Sequence, residues 1–560
     1  MIMKKSLYLD LMDKVVDAYT LEHIRRYTAD VRKNSITEHG FPRLTANIGI
    51  LIAHGRKTHL KDDFLQMMDL CVKEIPVAFQ KNGYTTGNDF SVKEIVFCLL
   101  EVEKSEIFEK TITDKWRDGL KKINPYATYS CIAEVPPKRI ANWAAFSAFS
   151  EQMRKYAGIA DESAFIENQI ASQVLSFDEN GMYRDPDEPM VYDFVTRLQL
   201  ASSLYFGFEG VNRDVMEEAF LKSADITLEM QSVTGEIPYG GRSNQFLHNE
   251  SFYAALCEFY ADFFKKRNDL KKAGMFKRAA KIAIESIIPW LDEDIMYHIK
   301  NRYPIETTYG CEGYGYYDKY MITTASWFYL AYAMADDSIE EVVCPSENSV
   351  YISETSPYFH KIFMKYGDYF LEIDTNADRH YDASGLGRIH KRGVPSAICL
   401  SVPFSKEPNY TVDIENPSFL SICGGIKTED GYIYSFDEKV KYKLTEKEIT
   451  DSSAKIRLEC KYGSISYYET ITVSENGVEF TSEGKGELEI LFPVFEFDGK
   501  VNTDISFTDN SAEVLYKGHK CRYTADKIKE KNQIFANRNG HYKAACAYGK
   551  NCVTLKIEIN

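Results

Sequence analysis

The chain lacks the features that mark membrane-spanning, disulfide-rich and nucleic-acid-binding proteins. No window approaches the ~20 consecutive apolar residues that a membrane-spanning helix needs. Its 12 cysteines are scattered without CxxC pairs, so we expect reduced, mostly buried thiols rather than a disulfide framework or a zinc ribbon. An excess of positive charge is also absent. The net charge of −16 argues against a nucleic-acid or anionic-membrane partner, because both need a basic face.

Targeting and nucleotide-binding motifs are missing as well. The N-terminal apolar stretch is interrupted by Asp10, Asp13 and Asp17, so no signal-peptide core forms and a cytoplasmic location is expected. The sequence contains no Walker loop, dinucleotide-binding fingerprint, exact repeat or low-complexity tract. These absences leave a soluble globular enzyme or binding protein as the classes to consider.

What the chain does have is length and an ordinary globular composition. With 560 residues, 44% of them apolar and 27% charged, it is too long for one core, so two or three domains are expected. The acidic balance does not exclude an acidic sugar as the ligand. Local Arg, Lys and His side chains in a cleft can bind a uronate while the remaining surface stays acidic.

The first 340 residues have a helical periodicity. Apolar residues recur at helical spacing in segments of ordinary helix length, joined by short turns. Such helices can stack into a toroid, a solenoid or a bundle, and periodicity does not choose among these. The clearest predicted helices are 142–156, 162–175, 191–205, 215–230, 246–264, 270–290 and 319–335.

Beyond about residue 340 the apolar period becomes two, which predicts an antiparallel β domain. The polar segment 335–349 between the two parts contains Pro345, as expected of a linker. We therefore predict domains at residues 1–340 and 341–560. The predicted strands are 369–373, 397–402, 432–436, 456–462, 465–473, 488–497 and 553–559.

The run from Thr307 to Tyr320 carries five tyrosines on a glycine-containing segment that leads into a helix. A tyrosine hydroxyl has an ordinary pKa near 10, and it transfers protons where its neighbours shift that pKa. The Glu-Gly-x-x-Tyr pattern from Glu312 to Tyr316 resembles the tyrosine motif of heparinase II/III-like and alginate-type polysaccharide lyases. This resemblance implies that Tyr316 is an acid, a base or both. Tyr314, Tyr317 and Tyr239 are close alternatives, because aromatic faces also stack on sugar rings. Aromatic packing at a helix start is the structural alternative.

Asn142 and Trp143 stand at the start of a predicted helix, shortly after Pro137. The pair resembles the Asn-Trp-Trp motif of chondroitin and hyaluronan lyases. That resemblance implies that Asn142 neutralises a substrate carboxylate and that Trp143 binds the sugar. In the structural alternative, Trp143 belongs to the core and Asn142 caps the helix or bonds to the backbone.

A polar cluster follows Gly240 and Gly241, shortly after Tyr239. So many convergent polar groups are costly to bury without a ligand or mutual hydrogen bonds, which predicts a binding site. An arginine can hold a carboxylate in a bidentate fork, and a histidine can neutralise charge or move a proton. A helix start with an N-cap at Ser243 or Asn244 is the structural alternative. The candidate residues are Tyr239, Arg242, Asn244, Gln245, His248, Asn249 and Glu250.

The third cluster begins at His380, after the predicted strand 369–373. The segment from His380 to Ala383 resembles the His-x-Asp-Ala motif through which the β domain of heparinase-like lyases adds a histidine to the cleft. It implies that His380 is the complementary proton-transfer group. The family pattern continues with a Ser-Phe strand, whereas this chain is glycine-rich there, so Arg388 and His390 are further candidates. A solvated loop histidine is the structural alternative.

The clusters occur in the order, and in the domains, in which α/α toroid lyases carry them. The resemblance implies an N-terminal (α/α) toroid followed by an antiparallel β-sandwich domain. It also implies β-elimination at a uronic acid, giving a 4,5-unsaturated uronate. An acidic chain suits a non-sulfated uronate best. The run from Tyr239 to Glu250 also resembles the L-rhamnose-α-1,4-D-glucuronate lyases of arabinogalactan, and cytoplasmic residence would favour exo action on oligosaccharides.

Two other functional classes stay open. A glycoside hydrolase on an (α/α) barrel would use a carboxylate pair drawn from Asp185, Asp187, Glu188, Asp193, Glu236 and Glu250. A non-catalytic carbohydrate-binding protein would use the tyrosines as stacking platforms. No cofactor is expected. No ligand spacing demands a metal, although a structural divalent ion stays open, and the sequence does not indicate an oligomeric state.

Overall fold

The computed structural model describes residues 4–130 and 142–560. In these ranges the chain is helical from Ser6 to Met334 and consists mainly of strands from Tyr351 to Ile559. This order confirms the predicted mixed class, a helical part followed by an antiparallel β part. The domain limits at residues 340 and 341 stay a prediction. None of the described helices has the length and apolarity that crossing a membrane requires.

The described residues form 15 α-helices. Their bounds follow the apolar periodicity closely, because a residue pattern that buries one helix face also sets where that face begins and ends. The helices are Ser6–Val16, Leu21–Asn34, Gly40–Ala53, Lys61–Asn82, Asn88–Ser105, Lys110–Leu120, Pro125–Thr128, Trp143–Tyr156, Ser163–Gln173, Met190–Tyr205, Arg213–Glu229, His248–Lys265, Leu270–Leu291, Tyr317–Met334 and Pro345–Asn348.

Six of the described helices, here called the inner helices, are buried along most of their length. Each packs against the next, and the last packs against the first, so that the six close a ring. Burial on several sides means that these helices bury polar side chains as well as apolar ones, so their buried surface is wider than a single apolar stripe. The inner helices are Gly40–Ala53, Asn88–Ser105, Trp143–Tyr156, Met190–Tyr205, His248–Lys265 and Tyr317–Met334.

The strands of the described residues form two antiparallel sheets. One has four strands in sequential order, and the other has eleven. The longest pair in the larger sheet joins 477–497 to 540–559, with Val478 opposite Ile557 and Phe492 opposite Ala545. The four strands of the first sheet are Tyr351–Glu354, Lys361–Tyr366, Tyr369–Asp374 and Gly385–Lys391.

The larger sheet contains the remaining strands. They are Cys423–Thr428, Gly431–Tyr434, Lys441–Ile449, Ser453–Tyr462, Ile465–Ser474, Gly477–Phe497, Asp504–Phe507, Ser511–Tyr516, His519–Thr524, Ile528–Asn537 and Gly540–Ile559.

One predicted strand, residues 397–402, is wrong. The segment contains a short 3-10 turn, Ser396–Ile398, and a single bridge from Leu400 to Ile389. Its residues 398–402 are all buried, so alternation in the sequence does not correspond here to a strand with one buried and one solvated face.

The four-stranded sheet packs against the loop that leads into the inner helix His248–Lys265. The Gly241 N–H donates to Asp382 Oδ2 at 2.8 Å, and Arg388 Nη1 donates to the Ile237 carbonyl at 2.7 Å. The β part therefore fixes one of the polar loops of the helical part.

Candidate active site

A cleft of about 690 Å³ lies at the N-terminal ends of the inner helices. Every inner helix contributes lining residues from its first two turns. Because these helix starts surround one space, their partial positive charges converge on it, and an anionic ligand is favoured there. One lining residue from each inner helix, in chain order, is Arg43, Phe90, Trp143, Tyr192, Asn249 and Lys319.

The cleft is deep and ends in apolar side chains. Tyr316, at its rim, is 58% exposed, whereas Trp327, which also lines it, is 2% exposed. Trp327 lies eleven positions after Tyr316 in the same chain segment, which corresponds to about 16 Å of helix rise. Phe90 packs edge-on against Trp143 and Phe146, with ring centroids 4.6 and 4.8 Å away. Such aromatic and aliphatic walls suit the apolar faces of sugar rings.

The charged groups of the cleft are mainly cationic. Arg43, Arg242 and Lys319 line it, and Glu38 is the single carboxylate among the described lining residues. Arg43 Nε donates to Glu94 Oε1 at 3.1 Å. The cleft therefore differs from the acidic average of the chain, as binding an anion requires.

Asp185 holds two of the predicted site residues. Its buried carboxylate accepts hydrogen bonds from the Asn142 backbone N–H at 3.0 Å and from Asn142 Nδ2 at 3.2 Å. It also pairs with Arg242 Nη2, and the guanidinium lies 4.4 Å above the Tyr192 ring. Burial raises the pKa of Asp185, while Arg242 opposes that shift. The Asn142 side-chain amide group donates to Asp185, and its carbonyl oxygen, Oδ1, has no hydrogen-bond partner among the described residues.

A chain of hydroxyl groups crosses one wall of the cleft. Ser243 Oγ lies 3.0 Å from the Tyr192 hydroxyl and 2.9 Å from the Tyr314 hydroxyl. Ser243 has a left-handed backbone, with φ of 60°, and its N–H donates to Glu312 Oε1 at 2.6 Å. Burial raises the pKa of Tyr314, so this hydroxyl stays protonated and can donate.

His248 and Asn249 begin an inner helix and face the cleft. The His248 ring stacks on Phe246 at 5.3 Å, and burial holds the pKa of His248 well below its ordinary value. The imidazole is therefore neutral at pH 7 and does not supply the positive charge that the sequence suggested. Asn249 Nδ2 donates to the Ser243 carbonyl at 2.9 Å. His248 Nδ1 and Asn249 Oδ1 have no hydrogen-bond partner among the described residues.

Some tyrosines of the segment from Thr307 to Tyr320 line the cleft, and others do not. Tyr314 and Tyr316 line the cleft, and Tyr316 stands immediately before the inner helix Tyr317–Met334. Tyr317 lies outside the cleft lining, with its ring edge-on to His298 at 5.3 Å, and burial raises the pKa of Tyr317 to about 12. Sequence spacing did not distinguish these neighbours, because their directions depend on where the helix starts.

Several predicted site residues lie outside the cleft lining and have structural partners. Tyr239 is buried beneath Lys361, whose Nζ lies 3.4 Å from the ring centroid. Glu250 Oε1 accepts from Lys300 Nζ at 2.7 Å, and Arg388 Nε donates to the Ser401 carbonyl at 2.9 Å. Tyr239 and Arg388 therefore join the helical part to the β part, whereas Glu250 has its partner within the helical part.

The remaining outliers are Asn244, Gln245 and His380. Gln245 Nε2 donates to Asn244 Oδ1 at 2.9 Å, and neither residue lines the cleft. His380 Nδ1 lies 3.1 Å from the Glu407 carbonyl. The β part thus does not bring His380 to the cleft. The further candidate His390 is buried, with Nδ1 2.8 Å from Ser232 Oγ.

The β part contributes instead a buried arginine that the sequence did not reveal. Arg538 Nη2 donates to Glu312 Oε1 at 2.6 Å, and its Nη1 donates to the Gly310 carbonyl at 2.6 Å. The next residue, Asn539, donates to Gln245 Oε1 at 3.2 Å. The turn at Arg538 and Asn539 therefore holds the segment that contains Glu312 and the segment that contains Gln245.

Other cleft residues were also missed by sequence reasoning: Glu38, His39, Arg43, Tyr192 and Lys319. One signal was available. Arg43 is the only charged residue of the buried helix Gly40–Ala53, and a lone arginine in an apolar helix needs a partner or a ligand. The others carry no local signal, because their shared position depends on the ring of helices.

The carboxylates weighed for a hydrolase do not form a facing pair in the described part of the cleft. Asp193 pairs with Arg197 inside the core, and Glu236 and Glu250 both pair with Lys300. Likewise, the described residues contain no group of three or more His, Cys, Asp or Glu side chains placed to hold a metal ion.

Solved structures of similar shape include three lyases. Heparinase III matches with a TM-score of 0.51 and 8% identity, covering 94% of this chain and 78% of that one. The heparan sulfate lyase HepC of Pedobacter heparinus gives 0.45 and 9%, covering 92% and 75%. Chondroitinase AC lyase gives 0.37 and 10%, covering 98% and 83%.

The chain shares the fold of heparinase III. At 8% identity this likeness concerns the fold alone. No protein-family model and no curated protein sequence matches the chain.

Proposed function

We propose that the protein is a polysaccharide or oligosaccharide lyase that cleaves the glycosidic bond of a uronic acid by β-elimination. The observation that carries this proposal is the composition of the cleft. Six helix N-termini and three cationic side chains surround tyrosine hydroxyls, with no facing pair of carboxylates among the described lining residues. That set suits an anionic sugar and proton transfer, and it does not suit carboxylate-pair hydrolysis.

The reaction needs three things at one place. The C5 proton is only weakly acidic until the carboxylate beside it is neutralised, so cations and donors must face that carboxylate. A base then takes the C5 proton, and the C5–H electrons form the C4=C5 double bond. The C4–O bond breaks, and an acid gives a proton to the departing oxygen.

Tyr316 at the rim is the proposed acid, base or both, because its hydroxyl-bearing side chain is accessible to a bound sugar. Tyr314 is the proposed donor to a sugar oxygen, through the hydroxyl chain that includes Ser243. Neutral His248, with its unpaired Nδ1, takes the complementary proton-transfer role that the sequence gave to His380. Arg242 supplies positive charge, while Asn142 and Asn249 offer carbonyl oxygens that accept from sugar hydroxyls.

Finer features are part of the same proposal. The closed ring of inner helices supports the (α/α) toroid predicted from the sequence. A cleft that ends on Trp327 and other apolar side chains supports exo action, because a closed end admits only a chain terminus. The limited number of cations supports a non-sulfated uronate. L-rhamnose-α-1,4-D-glucuronate remains the proposed linkage.

Ultraviolet absorbance of the conjugated 4,5-unsaturated uronate tests the proposal. The panel contains rhamnosyl-glucuronate arabinogalactan, alginate, hyaluronan and heparin. We expect a rise with one non-sulfated substrate and its loss, by ~10²-fold or more, in Tyr316→Phe. Tyr156→Phe is the matched control, because Tyr156 is equally exposed, at 58%, and lies at the far end of an inner helix. Release of reducing sugar without absorbance would establish hydrolysis instead.

A further inference from the structure

Lys319 occupies a distinctive position in the cleft. It is the third residue of the inner helix Tyr317–Met334, and it lines the cleft beside Tyr316 and Tyr320. Its Nζ lies 5.3 Å from the Tyr316 ring centroid and 5.4 Å from that of Tyr320. The ammonium group is therefore held between two tyrosine rings, one of them the proposed proton-transfer group.

Lys319 differs from the other two cations of the cleft in having no described carboxylate within ion-pair distance, although Glu38 is near enough to act on its charge. Arg43 pairs with Glu94, and Arg242 pairs with Asp185. Within residues 4–130 and 142–560, the Lys319 ammonium group forms no ion pair within 4 Å and no hydrogen bond, and its closest described contacts are the two tyrosine rings. Glu38, on the same wall, accepts from the Gly40 N–H at 2.9 Å instead. The charge of Lys319 is thus available to a ligand.

The position of Lys319 is unfavourable for the empty protein. A positive charge in the first turn of a helix opposes the partial positive charge of that helix end. Burial lowers the pKa of Lys319; the Glu38 carboxylate opposes that shift and the nearby Arg43 adds to it, so the net effect disfavours the ammonium form. Binding sites often contain residues that lower the stability of the fold but are needed for function, and Lys319 fits that description. An anionic ligand would relieve all of these effects.

We infer that Lys319 binds the carboxylate of the uronic acid and so determines specificity for an ionised uronate. The inference rests on the proposed function. In a uronic acid the carboxylate carbon is bonded to C5. A carboxylate held at Lys319 therefore places C5 beside Tyr316, whose ring is 5.3 Å from the same Nζ. One contact would both neutralise the carboxylate and align the proton to be removed.

Equilibrium binding tests the inference without requiring turnover. The probes are methyl β-D-glucuronide and its carboxyl methyl ester. Their binding is measured by the change in fluorescence of Trp143 and Trp327, which both line the cleft. In Lys319→Met we expect glucuronide affinity to fall ~10- to 100-fold, as for loss of a charge-assisted hydrogen bond, with ester affinity unchanged. Lys319→Arg should recover most of the affinity. Lys110→Met, at the exposed start of the outer helix Lys110–Leu120, is the matched control.

Thermal unfolding supplies a second readout that a merely structural role would not produce. We expect Lys319→Met to have a higher Tm than the wild type in the absence of ligand, because a partly buried positive charge at a helix N-terminus is removed. Equal loss of glucuronide and ester affinity, or glucuronide binding as in the wild type, would overturn the inference. Absence of 4,5-unsaturated product from the wild type would count against the elimination alone and would leave the binding result to stand by itself.

Discussion

At the scale of single residues, Asp185 determines where two polar groups of the cleft point. It accepts from both nitrogens of Asn142 and pairs with Arg242. Asp185→Asn keeps the shape and removes the charge. We expect kcat/KM for elimination to fall ~10- to 100-fold, because displaced binding groups misalign the substrate. Stability should fall by about 1–3 kcal/mol, measured by urea unfolding.

Asp187 provides the comparison for this substitution. It contacts the same guanidinium, at 3.4 Å, but its side chain is 77% exposed. Asp187→Asn should change stability by less than about 0.5 kcal/mol and leave activity intact. Equal effects of the two substitutions would contradict a special role for the buried carboxylate.

At the scale of elements, the turn between strands Ile528–Asn537 and Gly540–Ile559 supports the tyrosine run. Arg538→Met leaves the Glu312 carboxylate buried without its partner, and should cost about 3–5 kcal/mol of stability. It should also lower kcat, because Glu312 holds the Ser243 N–H and through Ser243 the Tyr314 hydroxyl. Urea unfolding and initial rates measure the two effects.

A double variant separates charge burial from loop position. Glu312→Gln keeps an acceptor for the Ser243 N–H and removes the negative charge. Combined with Arg538→Met, it should be more stable than Arg538→Met alone, since no unpaired charge stays buried. If the two stability losses simply add, the pair does not act as a unit.

At the scale of the whole molecule, His360 joins the two parts of the chain through a charge pair. Its Nδ1 lies 2.6 Å from Asp374 in the four-stranded sheet, and its Nε2 lies 3.2 Å from Glu188 in the helical part. Although burial opposes it, Asp374 raises the pKa of His360 to about 9. The folded protein therefore binds this proton more tightly than the unfolded chain, whose histidine pKa is near 6.5.

Because the folded protein binds this proton more tightly, its stability depends on pH. The stabilisation by His360 is fully present below about pH 6.5 and is lost as the pH rises through about 9. His360→Asn should lower stability by on the order of 1–3 kcal/mol at pH 6 and much less at pH 10. Asparagine tolerates the left-handed backbone at this position, where φ is 49°. A Tm difference that is independent of pH would exclude the charge pair as the cause.

Much of the fold followed from local patterns. The predicted helices 191–205 and 270–290 agree within a residue with Met190–Tyr205 and Leu270–Leu291, because apolar periodicity directly reflects which face is buried. The predicted strand 397–402 failed because a fully buried segment need not be a strand. The polar cluster and the tyrosine run also indicated where a cleft would be.

The sequence by itself determined the helical and β parts, their order, and the three segments in which polar and tyrosine residues concentrate. Only the tertiary structure decided which of these residues share the cleft. Neighbours such as Tyr316 and Tyr317 diverge at a helix start, while Lys319 and Arg43, far apart in sequence, line one space. Local sequence patterns indicate which residues are buried. Which distant residues lie close together depends on the ring of six helices, and no short segment encodes that non-local arrangement.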